Sequence, residues 1–164
     1  MSKKRIASFD VDQTLLDHKT YQIPESALKA VNELRKDFYI VLSTGRDMDN
    51  YYSKQYRDVI QPDAVIHLNG TKITVGGELI YEHEMDRTLL KEILDYADKA
   101  GYALGVTIGN EDYYLHPEVV EETDRLRWGR SERRFKDPRS LLDQGVRTLA
   151  YIGKEDGTMD MEKR

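Results

Sequence analysis

The stretch Ile6-Ala7-Ser8-Phe9-Asp10-Val11-Asp12-Gln13-Thr14-Leu15-Leu16 constrains this chain more than any other. A short apolar run stops at two carboxylates one residue apart, and a hydroxyl follows two residues later. An apolar run bounded by polar residues reads as a buried strand. In an open α/β sheet, ligands bind just past the carboxyl ends of the strands. That places Asp10 and Asp12 on the functional rim. In extended backbone, residues i and i+2 point the same way. Two carboxylates on one side crowd negative charge, which a metal ion or a shared proton relieves. The other reading is a strand end followed by an Asx-turn, with both side chains accepting backbone N–H groups.

Downstream, strands and helices alternate. Pro24 opens a helix, on which Ala27, Leu28, Val31 and Leu34 recur at helical spacing. Residues 39–42 form a second apolar strand that ends in Ser43-Thr44-Gly45-Arg46. Strand, helix, strand is the unit of a parallel sheet. A hydroxyl followed by Gly at a strand end lets a phosphate approach the backbone closely. Arg46 adds a forked cation. The alternative is an ordinary turn with a surface Arg. Residues 47–60 read as a helix that Pro62 ends, and 64–68 as a third strand running into Asn69-Gly70. Asn69 faces the site or serves as a left-handed turn residue. Residues 72–75 and 78–81, joined by Gly76-Gly77, form a hairpin.

From Asp86 the pattern becomes α+β. Leu89, Leu90, Ile93, Leu94 and Ala97 mark an amphipathic helix that Gly101 stops. Strands over 102–108 and 113–115 flank Gly109-Asn110. A helix over 117–128 and a strand over 146–152 follow, and Asp156 starts a further helix. Residues 125–139 hold Arg125, Arg127, Arg130, Arg133, Arg134, Arg139 and Lys136. A solvated face paired with Glu132 and Asp137 is preferred there over a cationic surface for an anionic substrate.

Phe9-Asp10-Val11-Asp12-Gln13-Thr14-Leu15-Leu16 resembles the first motif of the haloacid dehalogenase (HAD) superfamily, Asp-x-Asp-x-Thr after a buried strand. Gln13 stands where many members have Gly, at a turn position that does not react. Thr44 matches the second motif, a Ser or Thr at a strand end. Thr44-Gly45-Arg46, and the order strand, Asn69-Gly70, hairpin, resemble the Cof-like subgroup. The resemblance implies an α/β fold: a Rossmann-like parallel core in residues 1–83 and an inserted α+β cap in 84–164, with the C-terminal part of the core lacking. It implies a Mg2+-dependent phosphatase of small phosphorylated metabolites such as sugar phosphates. Asp10 is then the nucleophile that forms an aspartyl-phosphate, and Asp12 the general acid and base. Asp10 and Asp12, the latter through its carbonyl, hold the metal. Thr44, Gly45, Arg46 and Asn69 hold phosphate or substrate, and Thr14 fixes the loop after the strand.

The superfamily also uses a basic residue and a pair of acidic residues from strands after the cap. Lys154, Asp156 and Asp160 resemble these only superficially, because acidic residues after a strand are ordinary helix caps. The expectation is therefore a chain that turns over little by itself. A non-catalytic HAD-like binding module and a phosphomutase on the same fold are the alternatives.

Composition narrows the partners. With 164 residues and a net charge of −5, nucleic acid is not the expected partner. The absence of cysteine excludes disulfides and thiolate metal sites. No apolar run approaches membrane-spanning length, and the basic start lacks the apolar region of a secretory leader. A cytoplasmic location is the resulting expectation.

Overall fold

The computed structural model describes residues 4–17 and 19–152. Lys154, Asp156, Asp160 and the helix expected from Asp156 lie outside the described residues. The chain divides into two compact units, Met1–Glu84 and Met85–Arg164. Among the described residues no helix is long and apolar enough to cross a membrane.

The first unit is a five-stranded mixed sheet. Strands β1 (Arg5–Phe9), β2 (Phe38–Ser43) and β3 (Ala64–His67) run parallel, and β4 (Lys72–Val75) and β5 (Glu78–Glu82) continue antiparallel, in the order β1-β2-β3-β4-β5. Helices α1 (Glu25–Leu34) and α2 (Lys54–Ile60) supply the β–α crossovers. Val31 of α1 and Ile60 of α2 join Ile40, Leu42 and Val65 in one buried cluster. On β1, Ala7 and Phe9 pack against that cluster, whereas Ile6, of opposite parity, is 68% exposed. Phe9 pairs with Leu42, and Ser43 with Ile66. The parallel strands therefore end level, and the residues that follow them share one rim.

The helix expected over 47–60 is shorter than its apolar pattern. Residues 48–53 are turns and a bend. Asp47 Oδ1 accepts the Asp49 N–H at 3.1 Å, and Asn50 Oδ1 accepts the Ser53 N–H at 3.0 Å. Short polar side chains that bond backbone locally compete with helix in this way.

In the second unit, α3 (Arg87–Ala100) starts at Asp86, whose side chain accepts the Leu89 N–H at 2.9 Å, and stops at Gly101 with φ of 73°. The sheet order is β8-β7-β6-β9, with β6 at Ala103–Ile108, β7 at Glu111–Tyr114, β8 at Phe135–Lys136 and β9 at Ala150–Ile152. Helix α4 is Pro117–Trp128. Leu104 and Val106 pack with Leu90 and Leu94 of α3, while Ala103 packs with Val120 of α4. The alternation along β6 thus places a helix on each face. The last strand is shorter than the expected 146–152, because Val146 is buried in the α3 cluster and its carbonyl accepts the Met85 N–H at 2.7 Å.

The arginine-rich segment corrects the expectation at one residue. Arg130 pairs with Glu132 at 3.2 Å on the surface, as a solvated face would. Arg133 instead, its side chain 10% exposed, lies between the buried Asp112 and Asp124, at 3.3 and 2.8 Å. Thr107 Oγ1 and the Arg134 N–H also donate to Asp112. Withdrawing charges from water costs free energy, which pairing this close offsets.

Candidate functional site

The site is built from three turns at the carboxyl ends of β1, β2 and β3. After β1 the chain folds into a tight turn over 11–16. Leu15 and Leu16 N–H both reach the Val11 carbonyl, at 3.1 and 2.8 Å. Val11, Leu15 and Leu16 are buried, so the apolar part of the motif anchors the polar part. Gln13 has φ of 60°, the conformation that Gly adopts at least cost. Thr14 is exposed; backbone bonds and apolar anchors hold this turn where the sequence assigned the work to its hydroxyl.

After β2, the Thr44 N–H donates to Ile66 O at 3.0 Å, and Thr44 O accepts the Asn69 N–H at 3.1 Å. Thr44 is buried, and its Oγ1 accepts the Arg46 N–H at 3.1 Å. Asn69, with φ of 56°, lies over Gly45 so closely that a Cβ on Gly45 would sit 3.3 Å from Asn69 Oδ1. Leu68, with φ of 52°, precedes it. Two successive left-handed non-glycine residues are uncommon and costly. They turn the chain sharply at the end of β3.

Arg46 takes a partner that the sequence does not name. Its Nε donates to Asp12 Oδ2 at 2.7 Å and its Nη2 to Asp12 Oδ1 at 2.6 Å, a bidentate fork. Ser53 Oγ accepts from Nη1 at 3.5 Å, and the guanidinium carbon lies 5.6 Å from the centre of the Tyr56 ring. The Asp12 hydrogen bond, working against burial, holds the Arg46 guanidinium above its ordinary pKa. The fork expected to meet phosphate therefore rests on Asp12. Asp10 is exposed, and its carboxylate takes no hydrogen bond or ion pair from the described residues. Its charge nonetheless reaches Arg46. Carboxylate and carbonyl oxygens are the hard donors that magnesium takes, so Asp10 and the Asp12 carbonyl fit that ion. The Asp12 carboxylate is committed elsewhere. A cleft of about 500 Å³ borders the turn at Gln13, Thr14, Asp17 and Ser26, but neither Asp10 nor Thr44 lines it.

Sequence reading missed a second cluster, beginning at the residue after Arg46. Asp47, Asp49 and His67 present ligand atoms within 4.8 Å of one another. Lys72 Nζ lies among them, 3.0 Å from Asp47 Oδ1 and 2.6 Å from Asp49 Oδ2. His67 is fully buried. Its Nδ1 takes the Met48 N–H at 3.0 Å, so Nε2 carries the ring proton toward Thr74 Oγ1, also at 3.0 Å. Burial pushes the Asp47 carboxyl up, but hydrogen bonding at His67 and Lys72 and the Lys72 charge hold it well below the usual carboxylate range. With Nδ1 taken by Met48, Lys72 is the main source of that lowering. The one signal in the sequence was a histidine within the apolar run 64–68.

The chain belongs to the haloacid dehalogenase-like hydrolase family, whose family model matches residues 7–163. Among solved structures it is similar to a hypothetical protein from Geobacillus kaustophilus HTA426, at 21% identity and a TM-score of 0.74, covering 94% of this chain and 60% of that one. It is similar to a phosphatase of the haloalkanoate (HAD) superfamily from Bacteroides thetaiotaomicron, at 20% identity and a TM-score of 0.75, covering 93% and 57%. A subclass IIB sugar phosphatase of the superfamily matches at 22% identity and a TM-score of 0.70, covering 94% and 60%. This chain thus spans 57 to 60% of the length of these structures. No curated protein matches the sequence.

Proposed function

We propose that this chain carries the nucleophile-bearing part of a magnesium-dependent phosphomonoester hydrolase that acts on small phosphorylated metabolites such as sugar phosphates. The observation that carries the reading is the unequal setting of two carboxylates on one rim: Asp10 takes no partner among the described residues, while Asp12 is held in the Arg46 fork. Two carboxyl groups in different surroundings can divide two tasks. An Asp10 oxygen attacks phosphorus, and the bond from phosphorus to the leaving oxygen breaks. Asp12 gives that oxygen its proton, then takes one from the water that cleaves the aspartyl-phosphate. Thr44 Oγ1 and the Gly45 N–H receive phosphoryl oxygens. Magnesium, held by Asp10 and the Asp12 carbonyl, would offset the charge of a carboxylate meeting a phosphate dianion.

The Arg46 fork gives this scheme an order. Asp12 can carry a proton only after the ion pair loosens, so an arriving phosphate that draws Arg46 away frees the acid when it is needed. The test is single-turnover labelling. The protein is mixed with p-nitrophenyl phosphate and magnesium, quenched in acid and mapped by mass spectrometry. One phosphoryl group on the peptide bearing Asp10, absent from the Asp10→Asn variant, is expected. Equal labelling of the variant sinks the assignment.

A further inference from the structure

The cluster around Lys72 has no role in the proposed chemistry, yet it begins at the residue next to Arg46. The Lys72 side chain is 13% exposed and that of Asp47 16%, so this ion pair is largely withdrawn from water. Asp49 also pairs with Arg57, which ties the same turn to α2. Bonds from the neighbouring strands reach almost every residue of the segment. Thr44 bonds to Ile66 and Asn69, the Arg46 carbonyl accepts the Leu68 N–H at 3.2 Å, and the Met48 N–H meets His67. Asp47 and Asp49 both meet Lys72, the first residue of β4. Without that ammonium, Asp47 Oδ1, Asp49 Oδ2 and His67 Nδ1 would face one another with no cation between them. Three electron-rich atoms so close repel, and the turn that carries them would open.

We infer that Lys72 is a positioning residue: by bridging Asp47 and Asp49 it fixes the turn after β2 so that the Arg46 fork stays on Asp12. The consequence for catalysis rests on the proposed hydrolase reading. The geometry can be tested without turnover. A guanidinium fork needs both donors aligned with both carboxylate oxygens, so small shifts of the Arg46 backbone break it. Lys72 never touches the reacting atoms.

The measurement is solvent exchange of the Arg46 Nε–H by NMR on the nitrogen-15-labelled chain. Its signal is assigned by its loss in Arg46→Lys, and its dependence on the fork is established with Asp12→Asn. In Lys72→Met the exchange rate should rise by roughly tenfold or more, the scale of coupling within one side-chain network. Lys72→Arg, which keeps a cation, should restore most of the protection. Lys91→Met, which removes the surface pair with Asp95, should leave it unchanged. Should Lys72→Met fail to fold, Asp49→Asn removes one anchor and should give a smaller rise. Arg46 exchange unaffected in the folded Lys72→Met or Asp49→Asn variant overturns the inference. Labelling of Asp10 with Lys72-independent Arg46 exchange would sink this inference alone. Absence of labelling with Lys72-dependent exchange would sink only the hydrolase reading.

Discussion

Asp10 and Asp12 are one residue apart and meet different surroundings, because the turn over 11–16 lies between the strand and the second carboxylate. The predicted cost of losing each differs accordingly. In the proposed hydrolase reaction, carried out by the longer enzyme, Asp12→Ala should slow hydrolysis of an alkyl phosphate by roughly two to four orders of magnitude, the range for a lost general acid. It should slow p-nitrophenyl phosphate far less, since that leaving group needs no proton. Equal slowing of both substrates would assign Asp12 to something other than proton transfer. Asp47 carries a pH prediction. Its carboxyl lies below its ordinary value in the folded chain, so the unfolded chain binds the proton more readily. Its stabilisation is full above about pH 4, the ordinary carboxyl value, and fades as pH falls below that. The thermal midpoint of the wild type should therefore drop more steeply below about pH 4 than that of Asp47→Asn. Parallel curves would show that Asp47 is not what the acid titrates. At this scale the strand-end positions of Asp10 and Thr44 were legible, because a strand end is visible in the apolar pattern. The fork on Asp12 was not, since Arg46 lies 34 positions away and only chain packing brings the two together.

Elements were legible where local chemistry decides them. Helix α3 runs from its acidic cap to its left-handed glycine as those residues require. Helix α2 was over-read, because its apolar spacing continues through residues whose side chains bond their own backbone. Strand β6 contains a glycine that periodicity does not single out. A Cβ on Gly105 would lie 2.0 Å from the Tyr113 carbonyl oxygen and 2.6 Å from Tyr114 Cα. These are backbone atoms that cannot step aside as a flexible side chain does. Gly105→Ala should therefore destabilise the chain by about 1–3 kcal/mol, the usual cost of overpacking. Urea unfolding measures it, and an unchanged midpoint would mean that β7 moves away freely. The two-residue strand β8 and the Arg133 ion pairs had no local signal. Both depend on Asp112, 21 residues before Arg133.

At the scale of the whole molecule, β1 is an edge of the first sheet among the described residues, and Ile6 and its register partner Tyr39 are 68% and 49% exposed. An edge strand with exposed apolar side chains invites pairing between chains. Expressed as these 164 residues, the chain should self-associate, and Ile6→Lys should reduce this without lowering the thermal midpoint. Sedimentation velocity distinguishes the outcomes; identical association in the variant would place the contact elsewhere. The sequence alone determined the order of strands and helices apart from β8, the parallel start of the first sheet, and the strand ends that carry Asp10, Asp12, Thr44 and Asn69. All of these follow from short-range apolar periodicity and turn chemistry. Tertiary structure decided which side chains answer those groups: Arg46 on Asp12, Lys72 between Asp47 and Asp49, Arg133 between Asp112 and Asp124. Except for Arg133 with Asp124, nine positions apart, these pairings join residues more than twenty positions apart, and a charged side chain finds its partner by the distance and desolvation that folding creates.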